Sequence, residues 1–330
     1  MSVDQGTDRA AAIDEPLGGL RQIFPAGDVV IVTDDEELAE YAADIGLQAT
    51  LLDTVESLPE TASVALFLRN SMVSREIRMK FLKMRVLVVP VASFDRSLDV
   101  AKYTLELTRK TDYLKACEWN RYWTGNITEQ PGPLIFSGHG TDLRCAFADK
   151  LSADAWFTPE IGVGKWISIG AYCEFSVTAP SSTNWRGAFE IEGTAVASGV
   201  LVAKDSRVSD VGEGRIEKAQ KIRAEMVARG PVTLRLRDGV LQSVDAGGVD
   251  FTDAIREVTN PDYELHTLEL GIGTNMSLLP HVDWMVNSQL NEGAGTFHLG
   301  FGEGITGAHM DFVIEQCEHR FEGGHTTPPR

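Results

Sequence analysis

Two histidines and an aspartate fall within FHLGFGEGITGAHMDF, Phe297 to Phe312, in a chain that has only seven histidines. Side-chain direction repeats every two residues along an extended segment. His309 and Asp311 are therefore expected on one face, with Met310 on the other. His298 lies on a second extended segment, TFHLGFG, beyond a glycine-rich turn. Two imidazoles and a carboxylate converging from two segments make the ligand set of a first-row metal. The competing reading is a solvated loop with two unrelated histidines, and no His-Glu-x-x-His helix is present to decide between them. Upstream, Glu269 in LELGIGTN and Glu292 in NEGAGTFH add carboxylates. Each serves as a further ligand, as a general base for metal-activated water, or simply as a surface glutamate.

The other candidates are weaker. His139 in SGHGTDL reads as a turn or pocket-lining residue, and Glu264 and His266 as exposed strand residues or partners of the site. His281, His319 and His325 have no companion at ligand spacing. Trp119, Trp123, Trp156, Trp166 and Trp185 read as core or interface aromatics. Cys117, Cys145, Cys173 and Cys317 are scattered, with no Cys-x-x-Cys pair, and read as buried thiols. No Gly-x-Ser-x-Gly elbow is present for a serine nucleophile.

The elements that must position these residues follow from hydrophobic periodicity. DVVIVT, QATLLDT, SVALFLR and VLVVPVA are short apolar runs. DDEELAEYAADIG and SREIRMKFLKM between them carry helical spacing, the first with acidic residues at its start and a glycine at its end. This order predicts a small Rossmann-like α/β domain over 25–125 with a largely parallel sheet. No Gly-x-Gly-x-x-Gly follows the first strand, which argues against dinucleotide binding. Ser97 to Trp123 has neither Pro nor Gly and reads as one long linking helix. After GNITEQPGP the chain is β-rich, with helices expected over Arg215–Gly230 and Asp250–Asn260. This predicts an α+β domain over 126–320 that carries the metal site. Residues 1–24 read as disordered and 321–330 as a flexible tail.

The chain has 330 residues and a formal net charge of −18, with 43% hydrophobic residues. That charge, with no Lys/Arg-rich cluster, argues against nucleic-acid binding. No apolar run is long enough to span a bilayer, and the polar start does not look like a signal peptide, so a cytoplasmic protein is expected.

GTDLRCAF (Gly140 to Phe147), ELGIGTN (Glu269 to Asn275), NEGAGTFHLGFG and HMDFVI together resemble the aminopeptidase T-type metallopeptidases, leucyl aminopeptidases with a two-metal site. The resemblance extends to their short relatives and to the iron-dependent 2,5-dihydroxypyridine dioxygenases, over roughly residues 130–315 in motif order. It implies that His298, His309 and Asp311 are metal ligands, that Glu269 is ligand or base, and that Glu292 is the glutamate preceding the first histidine. It also implies a homodimer. The family glutamate after a Gly-Gly pair aligns without gaps on Phe189 in NWRGAFEIEG, with Glu190 and Glu192 nearby. The family tyrosine following the first histidine has no counterpart in FGEGITGAH.

Three functions are therefore expected to compete. The first is a metal-dependent hydrolase (Zn, Co or Mn) acting on a peptide or amide. The second is a mononuclear Fe(II) dioxygenase taking O₂ and a chelating small molecule. The third is a catalytically inactive dimeric peptide-binding protein of a biosynthetic pathway.

Overall fold

The computed structural model describes residues 16–24, 27–129, 132–147, 152–178, 185–186 and 188–322. Of the N-terminal stretch expected to be disordered, residues 1–15 lie outside this set. Residues 16–24 are packed: the helical turn α1 (Leu20–Ile23) buries Leu20 and Ile23, and Phe24 follows them into the core. Tail residues 323–330 also lie outside the described residues.

The chain then alternates through β1 (Val29–Thr33), α2 (Glu36–Asp44), β2 (Gln48–Leu51), β3 (Ser63–Phe67), α3 (Arg75–Lys80) and β4 (Arg85–Val89). Strands β1 and β3 are buried at every position, which matches their continuous apolar sequence and a sheet covered on both faces. The Asp35 side chain accepts from the Leu38 amide and so caps α2, and Ser74 caps α3 in the same way.

The predicted long linking helix is two helices, α4 (Leu98–Lys110) and α5 (Tyr113–Glu129). Thr111 between them is extended (φ −64°, ψ 130°), and the Asp112 carboxylate accepts from the Lys115 amide to start the second helix. A composition free of Pro and Gly does not exclude a break where a polar side chain supplies a fresh cap.

The second half contains β5 (Leu134–Gly138), β6 (Thr141–Phe147), β7 (Ser152–Asp154), β8 (Trp166–Ser168), α6 (Ile169–Cys173), β9 (Glu174–Thr178), β10 (Phe189–Ala197) and β11 (Gly199–Ala203). Next come α7 (Asp210–Ala228), β12 (Val232–Arg237), β13 (Val240–Ala246), β14 (Val249–Asp250) and α8 (Thr252–Val258). The chain closes with β15 (Thr267–Gly273), α9 (Gln289–Glu292), β16 (Phe297–Phe301), β17 (His309–Ile314) and β18 (Glu318–Phe321).

These strands form three sheets, giving a mixed α/β architecture. The first, in order β2-β1-β3-β4-β8, is parallel throughout. Its fifth strand comes from the second half of the chain, so the segment KWISIGAYCEFSV serves two sheets. The other two sheets are antiparallel, with orders β14-β13-β12-β10-β6-β5-β18 and β11-β17-β16-β15-β9-β7. The run GAFEIEGTAVASGVLVA is likewise divided, with β10 in one sheet and β11 in the other.

The two antiparallel sheets share one apolar core. Phe297, Leu299, Phe301 and Phe312 from the six-stranded sheet meet Leu143, Ile191 and Leu234 from the seven-stranded one, and the Phe136 and Phe297 rings stack at 3.9 Å. Each such side chain withdrawn from water contributes about 1.5–3 kcal/mol. Since strand side chains alternate, this core uses only one face of the six-stranded sheet. The opposite face is free to carry polar groups.

Candidate metal centre

Register decides what that opposite face displays. Gly271 pairs with Ser176 on one side and His298 on the other. Gly300 pairs with Glu269 and Asp311, and Ala203 pairs with His309. Directly opposed residues point to the same side, as do residues two apart. Glu174, Ser176, Glu269, His298, His309 and Asp311 thus share one face, drawn from β9, β15, β16 and β17. Met310 takes the apolar side, as the His-x-Asp spacing predicts.

Glycine makes room for the cluster. A Cβ on Gly271 would lie 1.9 Å from Cε1 of His298, so the imidazole lies directly over the glycine backbone. A Cβ on Gly300 would lie 2.9 Å from Asp311 Oδ1, from the Glu269 Cβ and from His309 Cε1. It would fill the space these three side chains enclose.

The donor atoms are close together. His309 Nε2 is 2.9 Å from Asp311 Oδ1 and 3.3 Å from Glu269 Oε2. His298 Nε2 is 3.5 Å from Glu174 Oε2 and 3.9 Å from Asp311 Oδ1. Two overlapping groups, Glu174–Glu269–His298 and Glu269–His309–Asp311, each bring their ligand atoms within 4.8 Å of one another. Glu269 belongs to both. Its Oε1 accepts a hydrogen bond from the Ser176 hydroxyl, which leaves Oε2 toward the cluster. His309 donates from Nδ1 to the Gly302 carbonyl at 2.8 Å, which fixes the ring and points Nε2 at Glu269 and Asp311.

Burial and charge conflict here in a way that calls for a cation. His298 and Asp311 are each 1% exposed. Among the described residues, Asp311 Oδ1 and Oδ2, Glu174 Oε2 and His298 Nδ1 are buried without a hydrogen-bond partner. Leaving such atoms unsatisfied is costly, and unpaired buried carboxylates most of all. Burial, and then repulsion from Glu269 and Asp311, drives the Glu174 carboxyl well above its usual range. Burial, with repulsion from Glu174, Asp311 and Glu269, does the same to Glu292. Burial alone would depress the His309 imidazole, but Asp311 and Glu269 raise it well above its usual value. Orphaned acceptors, crowded carboxylates and a glycine-lined hollow fit one or more divalent cations.

Glu292 approaches from a different direction. It ends α9, and the turn bearing it is fastened from behind by α4. The Tyr103 hydroxyl donates to Asn291 Oδ1 at 2.8 Å, and the Thr104 and Ser288 hydroxyls are 2.8 Å apart. Asn291 Nδ2 donates to the Asp283 and Val286 carbonyls. Pro90, Ser93 and Phe94, beyond the C-terminal end of β4, close the other side. The resulting cavity, about 240 Å³, is also lined by Lys204 and Gln289. Its position outside the carboxyl end of a parallel strand is where open α/β sheets place their crevices. Asn287 fastens this rim to the sheet, donating to the Phe94 and Val202 carbonyls and accepting from the Val202 amide.

The structure brings together all five residues selected from the sequence: Glu269, Glu292, His298, His309 and Asp311. Glu174 is the residue that sequence reasoning missed. The ungapped alignment selected Phe189, which is a core residue; Glu190 and Glu192 are exposed on β10 of the other antiparallel sheet. The usable signal was CEFSV, an alternating strand with Glu174 and Ser176 on one face. His139 occupies the β5–β6 turn with a positive φ of 53°. His266 packs against Trp185, His319 packs against Trp123, and Glu264 pairs with Arg186, all away from the cavity. His325 lies outside the described residues. The four cysteines are free thiols, three of them buried. No helix among the described residues is long and apolar enough to cross a membrane.

One parallel and two antiparallel sheets, with an acidic and imidazole cluster on the face of the six-stranded sheet turned toward the segment after β4, define a mixed α/β protein with a candidate metal centre. By its match to the family model over residues 26–322, the chain belongs to the family described as crocagin biosynthetic protein CgnE/B. No curated protein sequence matches it. Among solved structures it is similar to a 2,5-dihydroxypyridine dioxygenase from Pseudomonas putida KT2440, at 11% identity over 95% of this chain and 94% of that one, with a TM-score of 0.47. It is also similar to wild-type AmpT from Thermus thermophilus, at 14% identity over 99% and 98%, with a TM-score of 0.45.

Proposed function

We propose that this chain is a metal-dependent hydrolase that cleaves an amide or peptide bond within the biosynthesis for which its family is named. The observation that carries this reading is the pair of overlapping ligand groups sharing Glu269. Four carboxylates, from Glu174, Glu269, Glu292 and Asp311, balance the charge of two dications, whereas a facial triad for one iron needs a single carboxylate. When bound, such ions supply Lewis acidity and a water acidic enough to ionise near neutral pH.

The chain's own residues do the rest. Glu174, Glu269, His298, His309 and Asp311 hold the ions. Ser176 and the Gly302 carbonyl fix the orientation of Glu269 and His309. Glu292, lining the same cavity outside both ligand groups, takes the proton of the attacking water on its carboxylate and returns it to the departing amine.

Elemental analysis of protein purified without chelators tests this reading. Two ions per chain are expected, and His309→Ala should lose at least one. A single iron in each chain would favour the dioxygenase reading, for which both imidazoles flanking Asp311 would serve. A protein with no stoichiometric metal, and with none taken up on addition, would overturn the hydrolase and leave a binding cleft.

A further inference from the structure

The cavity is dominated by acids, yet one lysine lines it. Lys204 directly follows β11, whose Ala203 pairs with His309. Its backbone is fixed on two sides. The Lys204 amide donates to the Ser93 carbonyl at 2.9 Å, and the Asp205 amide donates to the Gly304 carbonyl at 2.9 Å. The side chain is 13% exposed, and its Nζ lies 3.0 Å from Glu213 Oε1 and 3.1 Å from Oε2. Glu213 sits in the first turn of α7, is 44% exposed, and does not line the cavity.

We infer that Lys204 is a specificity-determining residue that selects substrates carrying a carboxylate. The inference rests on the reading of this cavity as the substrate site. An ammonium has three donors, and Glu213 occupies part of that capacity while holding the stem in place. Lys204 lines the same hollow as the acidic cluster, so the donor capacity that Glu213 leaves is open to a ligand there. A neutral or cationic end of a ligand gains nothing from Lys204. A carboxylate gains a charge-assisted hydrogen bond in partly desolvated surroundings. Glu213 already neutralises part of the ammonium's charge, which favours a singly charged group over a phosphate dianion. The cavity, about 240 Å³, is below the usual range for drug-sized ligands. A short peptide end fits it better than a long segment. Lys204 thereby anchors the anionic end while the reacting amide meets the acidic and imidazole cluster.

The test uses the full chain loaded with metal and an equimolar library of free-acid dipeptides. The comparison library is the same set amidated at the C-terminus, with Asp- and Glu-containing members scored separately. Bound peptides are quantified by mass spectrometry after rapid gel filtration at millimolar ligand. The free acids are expected to be retained at least tenfold better than neutral amides. Amidated Asp or Glu peptides retained equally well would identify a side-chain carboxylate as the preferred source. Lys204→Met should abolish the preference. Glu213→Gln breaks the same ion pair but should keep it, which separates recognition from a structural role. Equal retention of both libraries, retention of neither, or an undiminished preference in Lys204→Met would overturn the inference. Metal content measured on the same samples reports separately on the hydrolase reading.

Discussion

Gly271→Ala tests the arrangement of the site with the smallest possible change. The added Cβ would lie 1.9 Å from His298 Cε1, 2.2 Å from Nε2 and 2.7 Å from Nδ1. Carbon atoms in contact prefer about 3.5 Å or more, so the ring must retreat by roughly 1.6 Å. Metal sites tolerate about 0.2 Å in ligand distance. His298 would therefore leave any ion it shares with Glu174 and Glu269, and affinity at that position should fall at least tenfold, or about 1.4 kcal/mol. In chelator-treated protein the same methyl group should cost about 1–3 kcal/mol through overpacking, read as a lower urea midpoint at unchanged slope. The double variant with His298→Ala removes the obstructing ring, so most of the Gly271→Ala cost should vanish in that background. Gly271→Ala protein with parental metal affinity and parental urea midpoint would refute the placement of the ring over the glycine.

Glu292→Gln should retain the metal content of the parent and, in chelator-treated protein at neutral pH, unfold at higher urea. It removes a buried carboxylate that Glu174, Asp311 and Glu269 repel, a gain on the order of 1–3 kcal/mol; a lower midpoint would contradict this. Burial pushes the Cys117 and Cys317 thiols up to about 12. Native protein at pH 8 should therefore resist a disulfide exchange reagent that labels all four thiols in denaturant. Because the folded-state values are raised, this contribution to stability is complete below the unfolded thiol value near 8.5 and is lost as pH rises toward 12. Asp35→Ala should cost about 1 kcal/mol as a lost helix cap, with a further loss from its Arg69 partner. Burial tends to raise the Asp35 carboxyl, but the Leu38 amide, Asn70 and Arg69 outweigh it and hold it low. Its contribution is thus present above the unfolded value near 3.9 and lost below it, so variant and parent should converge in acid.

The parallel sheet was legible because its strands are continuous apolar runs alternating with capped helices, a signal that depends on local order alone. His309, Met310 and Asp311 were legible for the same reason, since the two-residue repeat of a strand is a local property. The break at Thr111 was not, because its cause is a single aspartate acting as a cap within a sequence that otherwise favours helix. Nor was the splitting of KWISIGAYCEFSV, whose first strand pairs with β4, some eighty residues earlier. Glu174 escaped notice with it. Alternation marks CEFSV as a strand but does not say which strand lies beside it, and only the pairing with β15 brings Glu174 to His298. Lys204 was hidden for a different reason: an exposed-looking Lys-Asp-Ser turn gives no sign that it ends at the rim of a cavity.

Asn287 has a consequence for how such a protein can change. One amide side chain grips the segment after β4 and strand β11 together, so the rim contributed by the first hundred residues and the floor contributed by later strands cannot be exchanged piecemeal. Recombination that swapped the front half for that of a distant cousin would import a rim unmatched to this fastening. New specificities should therefore arise by point substitution around the mouth, at positions such as Ser93, Lys204 and Gln289, in preference to shuffling of halves.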